Sequence, residues 1–235
     1  MVIVPYIMIK TFLIILSFQI LLFSSEQIIL VVAEDMNATH ASLQCYEDGK
    51  PHLSTLRVNL GTKGLAWGIG LKKLHPKELH AMKQEGDKKA PAGIFALTHL
   101  FGYEQTQNYK LPFLLATKEL YCVDDTRSKY YNKIINKPTQ ELNSFEIMKR
   151  DDMQYKLGIV VGHNPNGIAP FGSCIFMHVA KAKGATTAGC TSMEYEKLQE
   201  IASWLDAKKR PILIQIPKSS LEEVYLLYPE LQRED

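Results

Sequence analysis

GSCIFMHVAKAKGATTAGCTSM, residues 172–193, is the stretch on which the reading of this chain turns. Ser173 to Val179 is apolar and reads as a buried strand. Alternation puts Cys174, Phe176 and His178 on one face and Ile175, Met177 and Val179 on the other. Lys181 to Gly184 supplies a turn, and the chain then reaches Thr187-Ala188-Gly189-Cys190-Thr191-Ser192-Met193. Thr191 with Glu194 three residues on matches a capping box. Leu198, Ile201, Ala202 and Leu205 give the apolar stripe of a helix, Lys208 to Arg210 suit its end, and Pro211 stops it. Cys190 is therefore expected one residue before a helix N-cap. A thiol there, following a glycine and twelve residues after His178, has what a cysteine nucleophile needs. The thiolate is the reactive form, and a helix N-terminus or an imidazolium lowers the thiol pKa.

Each element of that reading has a plainer alternative. Cysteine is often a buried structural residue, but Cys190 has no apolar neighbour in sequence. A histidine on a strand is often a satisfied core residue. As a general base, His178 would take the thiol proton on one ring nitrogen and need an acceptor for the other. Gly189 and Cys190 offer backbone N–H groups to a developing oxyanion, and the glycine also suits a turn. His163 follows the buried strand Leu157 to Val161 and reads either as a polar contact near the site or as a structural loop residue. Arg127 has the planar fork that pairs with a substrate carboxylate. The carboxylate pairs Asp124-Asp125 and Asp151-Asp152 are adjacent in sequence and face opposite ways, so neither reads as an acid/base couple. His75, His80, His99, His163 and His178 form no HExxH, and the cysteines form no paired CxxC, so no metal is expected. The glycines at 61, 64, 68 and 70 lack phosphate-loop spacing, and no organic cofactor is implied.

The rest of the chain reads as one β-rich domain. Gln27 to Val32, Ala41 to Glu47 and Leu56 to Leu60 are strands, with turn chemistry at Glu47-Asp48-Gly49-Lys50-Pro51. Leu74 to Glu85 is polar, with a short helix after Pro76, and Glu85 to Gly93 reads as a charged loop. Ile94 to Leu97, Leu111 to Ala116, Leu120 to Val123 and Ile212 to Ile216 are further strands. Residues 124–156 read as an irregular excursion of the kind that often forms a binding loop. The formal charge is +2 over 235 residues, and no basic tract points to nucleic acid.

The N-terminus is apolar: residues 2–33 hold only Lys10 and Glu26 as charges. Thr11 to Phe23 has the length of a signal-peptide core and is shorter than the ~20 residues of a membrane span. Residues 1–25 are read as a signal peptide, with an uncleaved anchor as the rival. Cleavage fits Phe23-Ser24-Ser25 or, later, Val31-Val32-Ala33. Export leaves about 205 residues, enough for a core of its own. An exported chain with Cys45, Cys122, Cys174 and Cys190 permits disulfides. Spacing leaves the connectivity open; Cys122 with Cys174 is the working choice.

His178 followed by Thr187-Ala188-Gly189-Cys190 resembles the signature of the L,D-transpeptidase (YkuD-type) catalytic domain. Ala90-Pro91-Ala92-Gly93-Ile94-Phe95 is similar to that family's Thr-Pro-x-Gly-x-Phe entry, and Gly172 to His178 to its histidine-bearing strand. The chain departs from the pattern at Ala188, where histidine is usual, and at Thr191-Ser192, where an apolar residue and Arg or Asn are usual. The resemblance implies a mainly β domain with flanking helices (α+β), a β-sandwich catalytic fold, over residues 26–235. It implies a cysteine acyltransferase in which Cys190 is the nucleophile, His178 the base and Gly189 part of the oxyanion site. Thr187, Ser192, His163 and Arg127 are taken as substrate-binding candidates. The implied reaction opens a peptidoglycan stem tetrapeptide at the L-centre of its diamino acid, releases the terminal D-Ala, and passes the acyl group from a thioester to a neighbouring amine. Water as acceptor would make the protein an L,D-carboxypeptidase. A wall-binding module without catalysis is the third reading. The expected location is the bacterial periplasm or envelope. The expected partners are stem peptides, with membrane contact only through an uncleaved N-terminus, and the protein is expected to be a monomer.

Overall fold

A computed structural model describes residues 27–74, 81–138 and 141–232. The signal or anchor segment of 1–25, His75, His80 and the start of the helix expected after Pro76 lie outside them. The first strands are β1 (Gln27–Ala33), β2 (His40–Glu47), β3 (Lys50–Pro51), β4 (Leu56–Asn59), β5 (Leu65–Trp67), β6 (Ala90–Gly102) and β7 (Phe113–Leu115). Then come β8 (Leu120–Cys122), β9 (Ile134–Asn136), β10 (Glu146–Ile147), β11 (Leu157–Val161), β12 (Phe176–Val179) and β13 (Thr191–Met193). Helix α1 (Tyr195–Trp204), strand β14 (Ile212–Pro217) and helix α2 (Leu221–Leu227) follow.

The expected mainly β domain with a few helices is present, but the sheet is barrel-like where a sandwich was expected. Eight strands run β1-β14-β6-β11-β12-β13-β4-β2, and β2 pairs back onto β1. β1 is saturated on both edges, parallel to β14 and antiparallel to β2. That double pairing consumes the edges a sandwich would leave open. Strands β1 and β14 are apolar, β-branched and buried along nearly their whole length, as strands covered on both faces must be.

Three further expectations shift. Pro91 and Gly93 lie inside the thirteen-residue β6 rather than in a loop. Thr191–Met193 is a strand, and α1 begins at Tyr195 with Glu194 as an N-cap whose side chain makes no capping hydrogen bond. The capping box is not formed because Thr191 Oγ1 instead donates to Gln215 Oε1, 2.7 Å away across the barrel. The apolar stripe is as read: Leu198, Ile201 and Ala202 are buried, and α1 packs on β11 and β12. Lys208 and Lys209 fall in a separate 3-10 turn begun by Asp206, whose side chain accepts from the Lys208 N–H.

β11 and β12 are clad on both faces. Ile159, Val161 and Met177 belong to the main core. The opposite face carries Phe176, which forms a second apolar cluster with Phe101, Tyr155, Met148, Cys122 and Cys174. A three-stranded sheet, β10-β8-β9, covers this face. The excursion of 124–156 thus contains two strands of a lid-like layer. Phe101 packs edge-on against Phe176 and Tyr155, with centroids 4.9 and 5.4 Å away. It fits because Gly158 stands opposite it on β11, and a Cβ there would come within 2.2 Å of the Phe101 ring. Gly158→Ala is therefore expected to cost about 1–3 kcal/mol through overpacking, measured by urea unfolding. Unchanged stability would contradict this packing.

Candidate active site

The parallel ladder between β12 and β13 pairs Met177 with Thr191 and His178 with Ser192. One step back along both strands, Cys190 lies beside Phe176. Residues at matched positions of a ladder share a face, so Cys190 and His178 both turn toward the face under the small sheet. The Phe176 N–H donates to Cys190 Sγ at 3.3 Å, and the thiol donates to the Cys174 carbonyl at 3.6 Å.

His178 is 5% exposed. Its Nδ1 is 2.8 Å from the Val179 carbonyl oxygen. A proton on Nδ1 satisfies that carbonyl and leaves Nε2 as the basic nitrogen. The acceptor that sequence alone did not reveal is thus the backbone of the next residue. Tyr155 meets the imidazole edge-on at 5.5 Å. Among the described residues, the imidazole and Sγ share no direct hydrogen bond.

The segment before Cys190 is held by Thr187. Its hydroxyl donates to the Cys190 carbonyl at 2.7 Å and accepts the Gly189 N–H at 3.1 Å. Gly189 has φ +147°, and a Cβ on it would lie 3.0 Å from the Lys89 carbonyl oxygen. The close approach of the 83–89 loop therefore requires glycine here. Lys83, from the same loop, is buried, with Nζ 2.6 Å from Asp87 Oδ1.

Four charged or polar groups unremarked in the sequence surround the pair: Lys83, Glu146, Arg150 and Tyr155. The Tyr155 hydroxyl donates to Glu146. The Arg150 guanidinium lies 5.0 Å from the Tyr155 ring centroid and grips Asp152 with two hydrogen bonds. Burial, then the Glu146 carboxylate, pushes the Cys190 thiol up to about 12, against the Phe176 N–H, Lys83 and Arg150. Burial takes His178 down to about 4. The resting pair is therefore a neutral thiol and a neutral imidazole. No helix dipole lowers the thiol, because the residues after Cys190 form a strand.

The other candidates are placed differently. Ser192 is buried, with Oγ accepting from Asn59 Nδ2 at 3.2 Å. His163 is buried against Phe95, with Nε2 2.8 Å from the Phe171 carbonyl oxygen, and Nδ1 has no partner among the described residues. Arg127 is exposed, 3.9 Å from Asp125, and no described contact joins it to Cys190 or His178. Among the described residues, no group of three or more His, Cys, Asp or Glu is placed to hold a metal.

These electrostatics fix a pH response. The imidazole loses its proton near pH 4, so it holds no charge to stabilise a thiolate at neutral pH. Alkylation of Cys190 by iodoacetamide in the free protein should rise steadily from pH 5 to 10 with no plateau, followed by peptide mass spectrometry. A plateau reached between pH 6 and 8 would indicate an ion pair and contradict this resting state.

The chain resembles, at 13% identity and a TM-score of 0.38, the crystal structure of the helical cell shape determining protein Pgp2 (K307A mutant) from Campylobacter jejuni. The match covers 87% of this chain and 55% of that one, so the chain spans little more than half of that protein. No curated protein matches. The L,D-transpeptidase catalytic domain (YkuD) family matches over residues 27–214, which include every strand from β1 to β13, His178 and Cys190. The chain belongs to the L,D-transpeptidase catalytic domain family.

Proposed function

We propose that this protein is an exported, cysteine-dependent L,D-transpeptidase that acts on peptidoglycan stem peptides. The observation that carries the reading is the pairing of β12 with β13, which turns Cys190 and His178 to one face while the Val179 carbonyl orients the imidazole.

In this reading Cys190 Sγ attacks the carbonyl at the L-centre of the diamino acid. The thiol proton passes to His178 Nε2 as the C–S bond forms. With a neutral thiol at rest, proton transfer accompanies attack rather than preceding it. The Cys190 N–H is assigned to the oxyanion, since the Gly189 N–H already serves Thr187. The imidazolium returns its proton to the departing D-Ala amine, leaving a thioester. An acceptor amine then attacks the thioester and loses a proton to His178, and Sγ leaves to regain one.

Thr187, Ser192 and His163 are bonded internally, and we assign them to holding the frame rather than to substrate. Among the four substrate candidates only Arg127 is left on the surface. The Cys122–Cys174 disulfide supports an envelope location, because such bonds persist in oxidising compartments.

The test is incubation of the purified protein with tetrapeptide muropeptides beside Cys190→Ala, with products read by mass spectrometry. Crosslinked dimers that disappear in Cys190→Ala are the expected result. Tripeptide alone, also lost in the variant, would make the protein an L,D-carboxypeptidase. Absence of any product would overturn the enzymatic reading on this substrate and favour a wall-binding module.

A further inference from the structure

The mechanism above uses Cys190 and leaves unexplained why two other cysteines share its apolar cluster. Cys122 and Cys174 form a disulfide between residues 52 apart. Cys122 is the last residue of β8 and pairs with Glu146 of β10. Cys174 lies two residues before β12. The bond therefore ties the covering sheet to the segment beside the nucleophile.

Cys174 itself has φ +53°, a conformation uncommon for a residue with a side chain. Its N–H donates to Asn132 Oδ1 at 2.9 Å. Its carbonyl is the acceptor of the Cys190 thiol, and Phe176, two residues on, gives the N–H that reaches Sγ. Both hydrogen-bond partners of Sγ thus lie on the short segment anchored by the disulfide. The covering sheet that the bond also holds carries Glu146, the partner of Tyr155. A cavity of about 180 Å³ beside the bond, lined in part by Thr98, Asn132, Ile134 and Gly162, gives a released segment room to move.

We propose that the Cys122–Cys174 disulfide is a positioning element for the nucleophile and a redox control on it. Its reduction frees the Cys174 segment and the covering sheet, so that Cys190 is more open to reagents and turns over substrate less well. Reduction requires an external dithiol. The dithiol supplies two electrons and two protons, the S–S bond breaks, Cys122 and Cys174 become thiols, and the dithiol closes to its own disulfide. The inference rests on the assignment of Cys190 as nucleophile.

Cys45 provides an internal control. It is a free thiol, 1% exposed in the barrel core, and it stays unlabelled while the barrel stays folded. The experiment compares the full chain oxidised, the full chain after treatment with a dithiol, and the Cys122→Ser/Cys174→Ser double variant. Residue-resolved iodoacetamide labelling is measured at one pH, with kcat and KM on the tetrapeptide. In both altered forms Cys190 should label about five- to tenfold faster, the factor set by losing the one hydrogen bond that the thiol donates to the Cys174 carbonyl. Cys45 should stay protected, and kcat should fall while KM holds. Cys190 labelling that ignores the bond would overturn the proposal. So would joint labelling of Cys45 and Cys190 in both altered forms, since the bond would then hold the fold as a whole. Labelling that responds as described in a protein with no turnover in any form would sink the stem-peptide reading and the redox control of turnover with it, and leave only the positioning of Cys190 by the bond.

Discussion

The parallel pairing of β12 with β13 is the constraint from which the site follows. A parallel neighbour needs a crossover, and here the crossover is the short run from Ala180 to Cys190. That run is held by the Thr187 N–H to the Leu60 carbonyl, and by the Thr187 hydroxyl to the Cys190 carbonyl. Once the ladder has Met177 opposite Thr191, the faces of Cys190 and His178 are no longer free to vary. A slip of one residue would turn Cys190 into the main core. The buried Thr191–Gln215 hydrogen bond penalises that slip, because both partners would be left unsatisfied inside the barrel.

The same enclosure that fixes the geometry sets the resting electrostatics. An apolar wall of Phe176, Phe101 and Tyr155 keeps the imidazole neutral and the thiol protonated. Lys83, Arg150 and the Phe176 N–H act in the other direction on the sulfur and are outweighed by burial and Glu146. With the thiol protonated at rest, the half-buried Cys190 is expected to react slowly with water-borne reagents at neutral pH. If Cys190 is the nucleophile of an exported enzyme, as proposed, a protonated resting thiol protects it, since thiolates are the species that oxidise.

Much of this was legible in the sequence where a local pattern and the tertiary answer agree. β1, β2, β11 and β14 announce themselves as alternating or continuous β-branched runs. The motif around Cys190 and the strand of His178 single out two residues that the ladder turns to one face, and the stripe of Leu198, Ile201 and Ala202 names the helix. The failures come where long-range pairing overrides a local signal. Thr191 and Glu194 have capping-box spacing, yet Thr191 is drawn into a ladder and toward Gln215. Pro91 and Gly93 look like loop residues, yet β6 runs through them: Pro91 stands opposite Ala66 of β5, and Gln215 Nε2 donates to the Pro91 carbonyl. Barrel closure depends on strand order, which periodicity does not encode. Glu146, Arg150 and Tyr155 reach the site from a polar segment with no pattern of its own.

The central claim is that Cys190 carries the acyl group, and the most direct test is the intact mass of the protein mixed rapidly with a tetrapeptide muropeptide and quenched in acid. The account predicts a transient adduct equal to the donor minus D-Ala. It should map to Cys190, be cleaved by hydroxylamine as a thioester is, and be absent from Cys190→Ala. An adduct on another residue, or turnover with no adduct at any quench time and full activity in Cys190→Ala, would contradict it.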